Sequence, residues 1–311
     1  MKKYCVPSII EQHIHGGFGV NFNTCDADGI LYFLENIKKY GVSKVYPTLH
    51  TDDYDILNRQ IKIIIEASKI KTDVKIMGIH LEGPFINPKK AGVHNPEIIK
   101  KPNLNDYKKI VNDVDESFIK IVTLAPELDE NYELTDYLIK NGVTVSAGHT
   151  LATDLSRVNQ VTHLFNAMGG ISHKEISTAT EALINDNIYT EVIADGNHIN
   201  KDVLKLIFKT KPLDKIILIS DALPIAHSKN KTEMFMGQET FLHGECAKTK
   251  EGTLAGCAIF VFEIIKKLVK ENMLDVETAF NMGSKNIAQN LKIEHDTMLE
   301  IDENFEILGM E

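Results

Sequence analysis

Two histidines separated by a single residue, His13 and His15, end the first apolar run of the chain. Side chains two positions apart on a β-strand point to the same side, so both imidazoles can reach one metal ion. Imidazole is also the most common metal ligand among protein side chains. The same spacing equally fits two polar side chains at a strand end that bind no metal. On its own, the pair leaves both interpretations open.

Further side chains of the same chemical kinds end or lie within later apolar runs, namely Glu82, His149, His163 and Asp221. A carboxylate at the end of an apolar strand is costly to bury unless it is paired or bound to metal. Each residue also has an ordinary structural explanation: a solvated carboxylate, a hydrogen-bonded core histidine or, for Asp221, a turn cap. Only their joint placement in the fold can therefore distinguish a catalytic or metal-binding site from these structural explanations.

The elements that must position these residues alternate between short apolar runs and helical patterns, which is typical of an α/β fold. Most runs are apolar on both faces, as expected for parallel strands covered on both sides. The runs comprise residues 8–15, 42–50, 74–81, 118–125, 143–149, 161–165, 189–195 and 216–220. The helical patterns comprise residues 27–39, 54–70, 131–141, 201–210, 258–271 and 275–289, and residues 223–252 read as a turn-rich stretch.

Eight such alternations predict one (β/α)8 TIM barrel domain over residues 1–311 with C-terminal helices, and a doubly wound open sheet is the alternative. The polar residues favour the barrel, because the C-terminal ends of all barrel strands meet at one mouth. An open sheet would not bring so many strand ends together. Nitrogen and oxygen ligands suit Zn²⁺, Fe²⁺, Mn²⁺, Co²⁺ or Ni²⁺. We therefore predict one or two divalent transition metal ions at the barrel mouth.

The composition excludes several classes of protein. The 311 residues carry a formal net charge of −10, which argues against a protein that wraps nucleic acid or binds a membrane through a basic surface. No apolar stretch approaches the ~18 residues of a membrane span. The four cysteines have neither the spacing of a metal finger nor that of a disulfide framework. They predict reduced thiols in a cytoplasmic protein.

Several longer motifs carry a resemblance to a known family. They are HIHGGFG at 13–19, HLEGPF at 80–85, GVHNP at 92–96, SAGH at 146–149, THLFNAM at 162–168, ADGNH at 194–198, SDA at 220–222 and GTLAG at 252–256. With these motifs the chain resembles the amidohydrolase superfamily and, within it, the N-acetylglucosamine-6-phosphate deacetylase family. The HLEGPF and THLFNAM motifs are highly specific, whereas the HxH pair is common to the superfamily.

The resemblance implies how the metal ligands are divided. His13 and His15 would hold one metal ion, and His149 and His163 would hold the second. Glu82 would bridge or bind the metals, in the place of the modified lysine of many superfamily members. Because this chain keeps the HxH pair, it resembles the two-metal members of the family.

The resemblance also implies a homodimer that hydrolyses the acetamide of N-acetylglucosamine 6-phosphate. Asp221 would be the general acid and base and a further ligand of the metal site. His94 would hydrogen-bond the amide carbonyl. Asn166 and the backbone of Ala167 would help to hold the phosphate, with His198 nearby.

Lys174 departs from the family pattern, because members carry at this place an arginine that reaches the substrate phosphate, often from the neighbouring subunit. Lysine binds phosphate as a point charge without the bidentate fork of arginine. The chain contains only two arginines, Arg59 and Arg157, so Lys174 reflects either this general bias or a changed substrate. The alternatives are therefore an amidohydrolase for another N-acyl compound and a barrel without catalytic activity.

A second departure concerns the accessory β-sandwich of the family. Only 12 residues precede His13, and about twenty follow residues 286–288, so the strands that build this sandwich in relatives are not recognised here. Losses at both ends agree with each other, because half a sandwich would leave open strand edges. We therefore expect a barrel whose accessory sandwich is largely or wholly absent.

Overall fold

The computed structural model describes residues 2–311. Its strands, in chain order, are β1 (Lys3–Pro7), β2 (Ile9–Ile14), β3 (Gly16–Gly17), β4 (Val20–Asn21), β5 (Val42–His50), β6 (Lys75–Ile76), β7 (Ile79–Glu82), β8 (Ile119–Leu124), β9 (Thr144–Ala147), β10 (Gln160–Val161), β11 (Tyr189–Val192), β12 (Ile216–Leu218), β13 (Thr232–Phe235), β14 (Gln238–His243), β15 (Cys246–Thr249), β16 (Leu254–Cys257), β17 (Met298–Asp302) and β18 (Ile307–Met310). Its α-helices are α1 (Ala27–Ile37), α2 (Tyr54–Ser68), α3 (Leu104–Ile110), α4 (Glu133–Lys140), α5 (Thr178–Ile184), α6 (Lys201–Thr210), α7 (Val261–Lys270), α8 (Val276–Met282) and α9 (Lys285–Leu291).

Eight parallel strands form the centre of the fold in the order β12-β11-β10-β9-β8-β7-β5-β2, with the short β6 beside β5. The sheet curls until its outer strands meet, because a parallel bridge joins Ile14 to Ala222. Two hydrogen bonds flank this bridge, from Asp221 N to His13 O (3.0 Å) and from His15 N to Ala222 O (2.9 Å). The predicted α/β class with a TIM-like parallel barrel is confirmed, and the open sheet is excluded.

The apolar runs form strands because both faces of the barrel wall are covered. Every residue of β2 and of β5 is buried. The helices outside the wall are amphipathic and begin at polar caps: the side chain of Asp26 accepts from Gly29 N, and that of Asn200 accepts from Asp202 N. Residues 201–210 form the predicted helix, whereas the short helices α3 and α5 were not predicted.

Residues 223–252, which read as turns, contain most of a four-stranded antiparallel sheet in the order β13-β14-β15-β16. It has its own small core, to which Leu223, Ile225, Phe235, Ala247 and Ala258 contribute. This correction matters for the site, because the sheet lies over the barrel mouth, where its side chains line the cavity described below.

The two ends of the described chain meet in a second sheet that the sequence analysis also missed. Strand β17 lies between β1 and β18, and Lys3 pairs with Asp302 in the antiparallel register of β1 and β17. Leu299 and Ile301 of β17 are fully buried against the barrel. The sequence analysis placed only helices after the barrel, and the structure corrects this: strands from both ends cover one side of it.

No helix within residues 2–311 combines the length and the apolar character that crossing a bilayer requires.

The buried Lys211, which follows helix α6, should make the stability of the fold depend on pH. Lys211 is 2% exposed, and its Nζ donates to the carbonyls of Ala182 (2.8 Å) and Asn185 (2.6 Å) at the end of α5. Burial lowers the pKa of Lys211 to about 8 from 10.5. Between these values the unfolded chain binds the additional proton, so the stability of the wild type should rise with pH relative to a Lys211→Met variant. The gain in unfolding free energy of the wild type over this variant, from the lower pKa to the higher, should approach ~3 kcal/mol.

Urea unfolding at several pH values between 7 and 11 measures this slope. Lys205→Met, which removes an exposed lysine from α6, is the matched control and should follow the wild type. A Lys211→Met variant with the same pH dependence as the wild type would show that Lys211 is not desolvated in the fold.

Candidate functional site

The carboxylate of Glu82, at the end of β7, lies at the centre of the barrel mouth and is almost completely buried. Imidazoles from several strand ends converge on it. The distances from their Nε2 atoms to a Glu82 oxygen are 3.5 Å for His13, 3.1 Å for His15, 3.7 Å for His94, 3.3 Å for His149 and 3.0 Å for His163. The structure therefore brings together the predicted ligands from four different strands.

On the far side of two of these imidazoles, His15 and His149, the outer ring nitrogen is held by a backbone oxygen atom. Nδ1 of His15 lies 3.2 Å from Thr48 O, and Nδ1 of His149 lies 2.8 Å from Lys90 O. A carbonyl only accepts, so both Nδ1 atoms carry the proton and both Nε2 atoms turn a lone pair toward the site. In histidines that bind metal, the ring nitrogen farther from the metal typically donates its N–H to an oxygen, so the other ring nitrogen keeps its lone pair.

Asp221, three residues beyond the end of β12, completes the cluster. Its Oδ1 lies 3.2 Å from Nε2 of His15 and 3.5 Å from Nε2 of His13. These residues form two groups, and within each group the ligand atoms lie within 4.8 Å of one another. They are His13 with His15 and Asp221, and Glu82 with His149 and His163.

The donor set fits divalent metal ions of the predicted kind. Nε2 of His13 is buried and has no hydrogen-bond partner within residues 2–311. This is expected of a nitrogen whose lone pair binds a metal. The remaining donors are imidazole nitrogens and carboxylate oxygens, which suit first-row transition metals. The residues here are therefore arranged so that they could hold a divalent metal ion.

Charge explains the protonation of the cluster. Burial alone would raise the pKa of Glu82, but the surrounding imidazoles, His13 foremost, hold it well below its ordinary value. Burial would lower the pKa of His13, yet Glu191, Glu82 and Asp221 raise it well above its ordinary value. The buried carboxylates thus demand positive charge at the place where the imidazole lone pairs converge. A divalent cation satisfies that demand without protons.

Three of these residues have an unusual backbone conformation. The φ angles of His149 (48°), His163 (30°) and Asp221 (51°) lie in the left-handed region that side chains rarely adopt. Each such residue costs roughly 1–3 kcal/mol and persists only where the surrounding structure enforces it. The conformation turns the three side chains inward after their strands have ended.

Beside the cluster lies a cavity that holds most of the predicted substrate-binding residues. His94, Asn166, Ala167 and His198 all line it, together with Glu82, His149, His163 and Asp221. The four-stranded sheet contributes an apolar wall made of Phe235, Met236, Leu254 and Ala255. A small ligand in this cavity would therefore touch the metal cluster on one side and apolar groups on another.

His94 is held as a neutral imidazole at the edge of the cluster. Burial lowers its pKa to about 4, and the nearby His149 adds to the effect. Its Nδ1 lies 2.7 Å from Thr51 Oγ1. A hydroxyl can donate to this nitrogen, which leaves Nε2–H directed at the cavity. Gly92, with φ of 60°, brings the His94 loop close to His149, because a Cβ there would lie 3.2 Å from the His149 ring.

Comparison with known proteins agrees with this geometry. The chain is 32% identical over 301 residues to the N-acetylglucosamine-6-phosphate deacetylase of Bacillus subtilis (strain 168), covering 93% of this chain and 75% of that protein. The chain belongs to the N-acetylglucosamine-6-phosphate deacetylase family. An N-acetylgalactosamine-6-phosphate deacetylase of Escherichia coli O157:H7 is 27% identical over 297 residues, covering 93% and 78% of the two chains.

A solved structure of the deacetylase family has the same fold. The N-acetylglucosamine-6-phosphate deacetylase of Pasteurella multocida superposes with a TM-score of 0.90 at 25% identity, covering 99% of this chain and 85% of the other. No protein-family model matches the chain.

Within this deacetylase-family chain, Lys174 is the predicted site residue that the structure places apart. It lies on an exposed segment, residues 170–176, outside the residues that line the cavity. Its role in phosphate binding therefore stays a prediction. His198, by contrast, is held at the cavity, because its Nδ1 lies 2.9 Å from the buried carboxylate of Asp195.

Sequence reasoning missed two residues that support the ligands and the cavity. Glu191 is fully buried on β11, with its Oε2 2.9 Å from Nδ1 of His13. A carboxylate inside a mostly apolar run was a usable signal for Glu191. Thr51, the partner of His94, gave no signal of its own.

Proposed function

We propose that the chain hydrolyses the acetamide of N-acetylglucosamine 6-phosphate, releasing glucosamine 6-phosphate and acetate. The observation that carries this proposal is the convergence of four imidazoles and the carboxylates of Glu82 and Asp221 at one cavity, beside His94. Membership of the deacetylase family supports the substrate, because relatives are named for this compound. The apolar wall of the cavity is compatible with an acetyl group.

Bound divalent metal supplies Lewis-acid chemistry, since it acidifies water and polarises a carbonyl oxygen. His13, His15, Glu82, His149 and His163 would hold it. The proton chemistry belongs to Asp221, whose carboxylate takes a proton from the water that attacks the acetamide carbonyl. Asp221 then returns this proton to the departing nitrogen, because an amine anion is too poor a leaving group.

His94 supports the same step from the other side. Its Nε2–H can donate to the carbonyl oxygen, where negative charge develops as water attacks. A neutral imidazole suits this role, because it donates a hydrogen bond without repelling the cation that the cluster requires. A Thr51 hydroxyl that donates to Nδ1 would keep the ring in the tautomer with Nε2–H.

The proposal extends to features beyond the reaction. We propose one or two ions of Zn, Fe, Mn, Co or Ni at the cluster. We also propose a single barrel domain over residues 1–311 with C-terminal helices, a homodimer and a cytoplasmic location. Resemblance to the family supports the dimer, and the cysteine spacing supports the location.

A second candidate function keeps the chemistry and changes the substrate. Lys174 in place of the family arginine and the 27% identical N-acetylgalactosamine-6-phosphate deacetylase favour a different N-acyl sugar. A third candidate, a barrel without activity, has less support, because Asp221 and all the predicted ligands meet at one site.

Acetate release tests these candidates. The metal-loaded chain is incubated with N-acetylglucosamine 6-phosphate, N-acetylgalactosamine 6-phosphate and their unphosphorylated forms. We expect the highest kcat/KM for the first compound. A preference for another compound selects the second candidate, and no acetate from any of them, with metal bound, selects the third.

Lys174 supplies a narrower prediction about the phosphate. The family residue at this place often reaches the phosphate from the neighbouring subunit, so Lys174 would act across the proposed dimer. Lys174→Ala should then raise KM for the phosphorylated sugar about 10-fold or more, because a charge-assisted hydrogen bond contributes roughly 1.5–3 kcal/mol. kcat and the KM for the unphosphorylated sugar should stay unchanged. Steady-state kinetics of both substrates measure the difference.

Lys140→Ala, an exposed lysine on helix α4, is the matched control. Lys174→Arg should retain or improve the wild-type KM, because arginine also binds phosphate. An unchanged KM in Lys174→Ala would remove this residue from the substrate site.

A further inference from the structure

We propose that Glu191 is a positioning residue that makes His13 competent to bind metal. The proposal rests on the proposed metal-dependent function, and it adds a residue that the ligand set of the family motifs does not contain. Glu191 would act through the ring of His13, by fixing its orientation and its protonation, whereas its contact with His163 involves only the backbone nitrogen of that residue.

The contact between the two residues fixes which nitrogen of His13 carries the proton. Oε2 of Glu191 lies 2.9 Å from Nδ1 of His13, and both side chains are fully buried. A carboxylate only accepts, so Nδ1 donates and Nε2 keeps its lone pair. This Nε2 is the atom that has no hydrogen-bond partner within residues 2–311, and it faces Glu82 and Asp221 at 3.5 Å each.

The carboxylate is itself held rigidly. Oε1 accepts from Nε2 of Gln12 (2.6 Å) and from Nε2 of Gln160 (3.0 Å). Oε2 accepts a further bond from the backbone nitrogen of His163 (3.3 Å). Four donors therefore surround Glu191, which compensates the burial of its charge and leaves it no freedom to turn away from His13.

A purely structural role explains this arrangement less well. The amide network does continue to the barrel floor, where Nδ2 of Asn290 donates to Oε1 of Gln160 (2.6 Å). However, all four partners of Glu191 donate, so the position demands an acceptor at both oxygens. An amide side chain, which is the ordinary component of such networks, presents a donor at one end.

His13 also differs from His15 and His149 in the kind of atom that holds its outer ring nitrogen. Backbone carbonyls hold His15 and His149, whereas a charged carboxylate holds His13. A carboxylate behind an imidazole increases the basicity of the inner nitrogen, and the loss of such a partner typically weakens metal binding 10–100-fold. The group of His13, His15 and Asp221 should therefore depend on Glu191, and the group of Glu82, His149 and His163 should not.

Metal titration tests this dependence without measuring activity. The full chain is stripped with a chelator and titrated with Co²⁺, whose visible spectrum reports binding, in the wild type, Glu191→Gln, His13→Asn and the double variant. We expect Glu191→Gln to weaken one class of Co²⁺ binding by roughly 10–100-fold. In the His13→Asn background the same change should have no further effect.

Thr190→Val is the matched control, since it alters the neighbouring residue of β11, whose buried hydroxyl has no partner within the described chain. It should bind Co²⁺ like the wild type. Unchanged Co²⁺ binding in Glu191→Gln would overturn the proposal. An equal loss in the His13→Asn background would also overturn it, because Glu191 would then act through the fold in general.

A second measurement needs no variant of Glu191. Nitrogen-15 NMR of the metal-free and Zn²⁺-loaded wild type, with the His13 signals assigned by their absence in His13→Asn, reports which ring nitrogen carries the proton. We expect Nδ1–H in the Zn²⁺-loaded chain, and Nε2–H would contradict the proposal. Neither measurement involves hydrolysis. A chain without deacetylase activity would therefore refute the proposed function, and Co²⁺ binding and the NMR signals would still test the role of Glu191.

Discussion

Replacing Asp221 by asparagine is expected to lower kcat by roughly 10²–10⁴-fold, the usual contribution of general acid–base catalysis. The amide has nearly the same shape as the carboxylate, but it can neither take the proton of the attacking water nor return it to the amine. Burial alone would raise the pKa of Asp221, yet His13 and His15 lower it, so the acid limb of the rate profile should also change in this variant. Acetate release between pH 4 and 9 measures both effects.

The control for Asp221→Asn is Asp129→Asn, because Asp129 is also buried but lies at the start of helix α4, with its Oδ2 accepting from Thr135 N. Its activity should match the wild type. Co²⁺ titration of Asp221→Asn separates loss of proton transfer from loss of metal. A variant that keeps metal and wild-type kcat would show that another group moves the proton.

The second large effect is expected from Glu82→Gln, which removes the negative charge on which the imidazoles converge. An amide nitrogen would then face imidazole lone pairs that need a cation, so the variant should lose metal from the group that contains His149 and His163. Loss of this Lewis acid forfeits several kcal/mol of transition-state stabilisation, or roughly 10³-fold in kcat/KM. Elemental analysis and acetate release together measure the outcome.

Glu116→Gln serves as the control, since Glu116 accepts from Lys108 Nζ (2.8 Å) far from the barrel mouth. It should retain both metal and activity. If Glu82→Gln holds its full metal complement after dialysis, Glu82 is not the central ligand of the cluster.

The barrel and the convergence of the predicted ligands could be expected from the sequence, because both depend on local patterns. Strands covered on both faces appear as continuous apolar runs, and the ends of parallel strands meet by geometry alone. For this reason His13, His15, Glu82, His149, His163 and Asp221 could be expected at one place before any contact was known. Their backbone conformation could not, since a positive φ at His163 has no counterpart in its residue type.

The features that escaped prediction depend on contacts between distant parts of the chain. Glu191 and His13 are 178 residues apart in the sequence. The strand β17 is short, and it becomes a strand only because β1 and β18 lie on either side of it. In the sheet over the mouth, β14 is mostly exposed, so its apolar signal is weak. Tertiary pairing decided these elements, and single-sequence patterns carry little information about it.

The left-handed backbone at His149, His163 and Asp221 has a consequence for how this protein can change. Three such residues together cost roughly 3–9 kcal/mol, which is comparable to the whole stability of many domains. Glycine at any of the three would relieve the backbone strain, but it would also remove a side chain of the predicted metal and proton-transfer site. The strained backbone and the proposed chemistry therefore occupy the same few positions, so relief of the strain there would come with a loss of turnover.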